Sequence, residues 1–85
     1  MDIRNLLESL SFEDMGGGVF RKTYPVSGCD LRADLKACTL IYPESRGMAV
    51  NDRQVCSFRA NENLTVFDCV HRLLTIGYMP SEIIL

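Results

Sequence analysis

The amino-acid sequence predicts an α+β domain: a helix, a three-stranded antiparallel meander, and a longer helix packed on the sheet. Three observations carry this expectation. Apolar residues recur at helical spacing near both ends of the chain, a strict period of two runs through residues 29–36, and prolines and glycines fall between these stretches. Strands grouped together and flanked by helices, instead of alternating with them, describe segregated α and β layers. At 85 residues the chain is expected to be one domain, 1–85. A chain of this size buries only about 60–65% of the surface its unfolded form exposes, so its core is thin.

Each element has its own signature. Ile3, Leu6, Leu7 and Leu10 share one helical face, and Asp2 is placed to cap the first amides, which predicts a helix over about 2–11. Glu13, Asp14 and the triplet Gly16-Gly17-Gly18 end it. Three glycines in a row cost too much backbone entropy for an element interior and read as a turn. The triplet follows a helix and precedes a strand, the reverse of the order a phosphate loop needs. Val19–Tyr24 is rich in β-branched and aromatic residues and is stopped by Pro25, with a turn at Ser27-Gly28. Cys29, Leu31, Ala33 and Leu35 then alternate with Asp30, Arg32, Asp34 and Lys36, the pattern of a strand with one face buried and one wet. A third apolar run over Cys38–Tyr42 completes a meander spanning about 19–42.

Residues 44–60 lack periodicity and read as an irregular connection with a short strand at Val55–Phe58. Residues 63–76 carry the strongest helical stripe, Phe67, Val70, Leu73 and Leu74, widened by Val66 and Cys69. Thr65 and Asp68 are spaced as a capping box, Arg72 suits the late turns, and Gly77 is a natural stop. Ile83-Ile84-Leu85 reads as the opening of a further strand. The expected core comprises Leu6, Leu10, Leu31, Leu35, Leu40, Phe67, Val70 and Leu74.

Composition narrows the function. An apolar fraction of 47% with 24% charged residues argues against general disorder. No run approaches the roughly 20 apolar residues a membrane helix needs, and the first ten residues are amphipathic, unlike a signal sequence. A cytoplasmic location without membrane contact is expected. Four cysteines (Cys29, Cys38, Cys56, Cys69) lie nine, eighteen and thirteen residues apart, with no close pair and a single histidine, His71. That spacing is a poor fit to a zinc site, an unexported chain meets no oxidising compartment to form bridges, and four buried thiols are expected. A net charge of −2 supplies no global attraction to nucleic acid, although a local basic stripe remains open.

No nucleophile–base pair is apparent. His71 sits on a helix and reads as a surface or packing residue. Asp30, Arg32 and Asp34 project from one strand face as a solvated charge row. Asp34-Leu35-Lys36 offers an acid-x-lysine, but no upstream acid on a paired strand accompanies it, as metal-dependent cleavage of DNA requires.

Leu-Glu-Ser-Leu-Ser-Phe at 7–12, Ile-Tyr-Pro-Glu at 41–44, Val-Asn-Asp-Arg at 50–53 and above all the block from Glu62 through Val66-Phe67-Asp68-Cys69-Val70-His71-Arg72-Leu73-Leu74 to Gly77-Tyr78 and Pro80 carry a resemblance. The chain resembles the N-terminal segment of the type I restriction enzyme R-subunit family and related restriction-modification proteins of bacterial defence, most specifically over 62–80. In that family a helix like this one precedes nuclease strands bearing a PD-(D/E)xK motif that coordinates magnesium. The resemblance implies that residues 1–85 are a front end of such a protein. Asp68 stands where the family helix usually has glutamate, and is the one candidate it offers for a catalytic acid. No cofactor is expected in this chain, magnesium belonging to the parent nuclease.

The expected function is therefore a non-catalytic N-terminal domain contributing to DNA contact or to assembly with other domains or subunits. Candidate DNA contacts are Arg21, Lys22, Arg46, Arg53 and Arg59, several of which fall at strand ends or in loops. A standalone protein–protein interaction module from a mobile element is the alternative, and an oligomeric nuclease remnant a third.

Overall fold

The first helix, α1 (Ile3–Ser9), starts where Asp2 turns its carboxylate back onto the Arg4 amide at 3.0 Å. This computed structural model describes residues 2–85; Met1 lies outside them. The helix ends two residues before the sequence suggests, because Ser11 adopts φ 65°. Ser11 N–H then reaches Glu8 C=O at 3.1 Å and Phe12 N–H reaches Leu7 C=O at 2.9 Å. That pair of bonds is the Schellman closure, here built on a serine where glycine is usual.

Four antiparallel strands follow in the order β1 (Glu13–Asp14), β2 (Val19–Tyr24), β3 (Cys29–Asp34) and β4 (Thr39–Ile41). The meander expected from the sequence is present, with the two-residue β1 added at its edge. Glu13 and Asp14, read from the sequence as part of a helix terminator, pair instead with Arg21 and Phe20. β3 stops two residues before its alternation does, since the Asp34 carboxylate accepts the Lys36 and Ala37 amides and turns the chain.

Register gives the sheet two unlike faces. Phe20 and Tyr24 lie opposite Ala33 and Cys29, and with Leu31 and Leu40 they form the inner face. Over it lies α2 (Asn61–Thr75), which buries Leu64, Phe67, Val70 and Leu74, while α1 adds Leu6 and Leu7. Burying each such side chain is worth about 1.5–3 kcal/mol, so this stripe dominates the stability of the fold. Phe67 sits at the centre, its ring 5.6 Å from Phe12 and 5.8 Å from Tyr42. Leu10 and Leu35, expected in the core, are only partly buried at its rim.

The connection from 43 to 60 corrects the sequence reading. Asp52 caps a 3-10 turn at Arg53–Cys56 through the Gln54 amide, which takes Val55 and Cys56 out of any strand. Only Ser57 joins the sheet, by a bridge to Thr39. α2 accordingly begins earlier than expected, at Asn61, with no side-chain cap; Thr65 lies inside the helix and Asp68 pairs with Arg72 at 3.2 Å instead of closing a capping box. Gly77, at φ 108°, ends α2 as expected, with Tyr78 N–H on Leu73 C=O at 3.0 Å. Ile83–Leu85 runs beside residues 49–51, Ile84 bridging Ala49 in parallel, so Ile83 enters the core while Ile84 stays exposed.

The four thiols are free but not uniformly buried: Cys29 is buried, Cys38 and Cys56 are half-buried, and Cys69 is exposed. Cys69 lies on the side of α2 turned from the sheet, where a thiol at the margin of an apolar stripe meets solvent. No described helix is long and apolar enough to cross a membrane.

Candidate functional site

The outer face of the sheet is uncovered by α1 and α2 and carries Arg21 and Arg32. Arg21 on β2 and Arg32 on β3 are directly opposed in the register. Like charges in that position repel, so the pair costs stability unless something bridges it. Asp30 does so with one oxygen: its Oδ2 accepts from Arg21 Nε at 2.7 Å and from Arg32 Nε and a terminal nitrogen at 3.2 Å. Both guanidiniums are held by one end and keep further N–H donors free, in the planar fork that suits oxyanions.

Arg46 joins them from the 3-10 turn Glu44–Arg46, which Pro43 opens and Gly47 closes. Together these groups line an open concavity of about 440 Å³, with Thr23 and the exposed edge of Ile41 along its wall. Arg46 forms no ion pair among the described residues, and its charge is felt at Cys29, where it opposes the upward push of burial and of Asp30 on the thiol. The four charged groups lining the concavity, three arginines and one aspartate, sum to +2.

The remaining sequence-derived candidates lie elsewhere. Lys22 is on the inner side of β2 and near enough to His71 to hold that imidazole below its ordinary range, after the larger effect of burial. Arg53 is held by Glu44 at 2.6 Å, both side chains largely exposed, and that hydrogen bond pushes its already high pKa further up. Arg59 is exposed in the connection before α2 and joins no ion pair among the described residues. Of the five proposed contacts, only Arg21 and Arg46 meet. Arg32, assigned from sequence to a solvated row, is the third member.

A second cluster lies between the layers. Tyr24 Oη and His71 Nδ1 are 2.8 Å apart, and the His71 ring packs against Tyr24 and Phe12. Burial pushes the Tyr24 phenol well above its ordinary range, so it keeps its proton; the tautomer of His71 sets which partner donates in the bond between them. Burial is also the main cause holding the Cys29 and Cys56 thiols up, so neither is a thiolate nucleophile at neutral pH.

The residues present do not fit a magnesium site. Asp68 faces Arg72, and among the described residues no three His, Cys, Asp or Glu side chains gather as a cation set. Asp34 spends its carboxylate on the turn amides, which separates it from Lys36 as a catalytic pair.

One apolar groove, of about 370 Å³, runs between α2 and the final residues, lined by Val66, Cys69, Leu73, Tyr78, Ile84 and Leu85 among others. The fold and these two surfaces define a small α+β domain with a basic concavity at the sheet and an apolar groove beside α2. Comparison with protein-family models, curated proteins and solved structures finds no match.

Proposed function

We propose that this chain is a non-catalytic N-terminal domain of a type I restriction-modification enzyme, R-subunit-like, that contacts DNA through the outer face of its sheet. The observation that carries the reading is the pairing of Arg21 and Arg32 to one carboxylate, Asp30, with Arg46 lining the same concavity. The resemblance over 62–80 supports the enzyme class, and a cytoplasmic setting goes with it. Contacts of this kind grip phosphates, and carry no base sequence.

Three neutralised phosphates give a salt slope of about −2.7 for duplex DNA, a loss of roughly 40-fold between 50 and 200 mM salt. Titrating a labelled duplex at both concentrations tests this. Arg21→Gln combined with Arg46→Gln should lower the slope by nearly two. Absence of binding at the lower salt would remove DNA from the reading.

A second reading is contact with another domain or subunit, or with an unrelated protein if the chain is a standalone module. The apolar groove beside Ile84, which is 72% exposed, favours it. Ile84→Asp should then disrupt association with those partners and leave duplex binding unchanged.

A further inference from the structure

We propose that the concavity on the outer sheet face seats a phosphomonoester, the terminal phosphate of a nucleic-acid strand or of a nucleotide. This rests on the DNA-contact reading and sharpens it, because a phosphodiester backbone and a terminal phosphate make different demands. The first argument is charge. Arg21, Arg32, Arg46 and Asp30 line the site and sum to +2. A monoester carries about −1.5 to −2 at neutral pH, whereas each backbone diester carries one negative charge. The dianion therefore neutralises the site as a whole.

The second argument is geometry. Arg21 and Arg32 are opposed across β2 and β3, and Asp30 Oδ2 takes one edge of each. This fixes two planar donors side by side while leaving donors to spare, and a tetrahedral oxyanion can bridge them as Asp30 does from the other end. Such a ligand relieves the repulsion that the register imposes. Asp30 is thus a positioning residue, holding the guanidiniums without contacting the ligand.

The third argument is size. A concavity of about 440 Å³ is too large for phosphate alone and lies within the range of sites that hold small organic ligands. Ile41, 43% exposed and opposite Arg32 on β4, provides an apolar shelf for the attached sugar or base. Glu13, opposed to Arg21 from β1, shares the face and tempers the charge of Arg21, but it does not line the concavity.

The test is fluorescence anisotropy with the full chain and a short 3′-labelled DNA strand carrying either a 5′-phosphate or a 5′-hydroxyl. The phosphorylated strand should bind about tenfold tighter, one charge-assisted contact's worth. The advantage should shrink below about pH 6 as the monoester takes up a proton. Arg32→Gln and Arg46→Gln, each checked by circular dichroism, should erase the advantage. Adenosine monophosphate competing as well as the strand end would support the seat and name a free nucleotide as its source; failure to compete alongside a retained strand-end preference would name the strand. Equal affinity for both ends overturns the proposal and leaves backbone contact standing. Binding of neither strand, with no duplex binding at low salt, overturns both.

Discussion

Replacing Phe67 by alanine is the sharpest test of the packing scheme. The side chain is fully buried and its ring touches Phe12 and Tyr42 at centroid distances of 5.6 and 5.8 Å. Truncation removes the transfer energy of the ring and leaves a cavity walled by two aromatics that follow just after α1 and β4. Losses of about 3–5 kcal/mol are typical of such sites. Each tilted aromatic pair adds about 0.5–1.5 kcal/mol beyond area, which places this site toward the upper end. An 85-residue domain has only about 4–13 kcal/mol of total stability, so the variant forfeits a large share of it. At about 4–8 °C per kcal/mol, the melting temperature should fall by at least roughly 12 °C. Phe67→Leu, which keeps more of the volume, should cost about half as much. With no tryptophan in the chain, far-UV circular dichroism is the natural probe of both thermal and urea unfolding. A Phe67→Ala protein melting within about 4 °C of the parent would refute the central placement of this ring. Leu10→Ala, at the rim, should be clearly milder.

Ser11→Gly should stabilise the chain by about 0.5–1 kcal/mol, since glycine takes φ 65° without the steric cost serine bears and loses part of that gain to unfolded-state entropy; urea midpoints measure it, and a destabilised variant would contradict the Schellman closure. The folded-state pKa of His71 lies below the ordinary 6.5. Above that value folded and unfolded states are both neutral and stability is flat; as pH falls below it the unfolded chain takes up its proton first, and stability declines until the folded pKa is passed. His71→Gln should flatten that decline, and a pH profile identical to the parent's would assign it to other groups. Incubation with plasmid and magnesium should leave the DNA intact, and nicking abolished by Asp68→Ala would overturn the non-catalytic reading.

The elements legible in the sequence were those whose two faces differ chemically. The alternation from Cys29 to Asp34 identified β3, and the stripe Phe67, Val70, Leu74 identified the buried side of α2. The elements missed had no such contrast. Glu13–Asp14 contains no apolar residue, so β1 exists only because β2 offers it an edge. Val55 and Cys56 look strand-like, yet the Asp52 cap a few residues earlier decides their backbone. Helix and strand ends slipped where a non-glycine residue takes a positive φ, at Ser11 and Cys38, for which composition gives no warning. The basic concavity was half legible. Arg32 faces solvent by periodicity alone, but its meeting with Arg21 depends on register. A hairpin closed by Tyr24 and Cys29 necessarily pairs 21 with 32, so counting back from the turn at Ser27-Gly28 contained that signal.

The chain's net charge of −2 is a poor guide to this surface, and the hydrogen bonds explain why. Much of the acid is structural. Asp2, Asp14, Asp34, Asp52 and Glu82 each accept a backbone N–H at a turn or helix start, and Glu44 and Asp68 are engaged by Arg53 and Arg72. None of these seven lines the concavity, where the one carboxylate among the described residues is Asp30. Screening at physiological ionic strength decays over about 8 Å, so a ligand seated there responds to the groups around it far more than to the sum over the molecule. Caps cannot be moved without cost, because each satisfies an amide that folding leaves unpaired. Acids are thereby held at turns by folding, while Arg21, Arg32 and Arg46 converge on a face that folding leaves open. A mildly acidic protein thus presents a basic surface, and neutralising Asp34 or Asp52 should weaken the fold while changing phosphate affinity far less than the loss of any one of those three arginines.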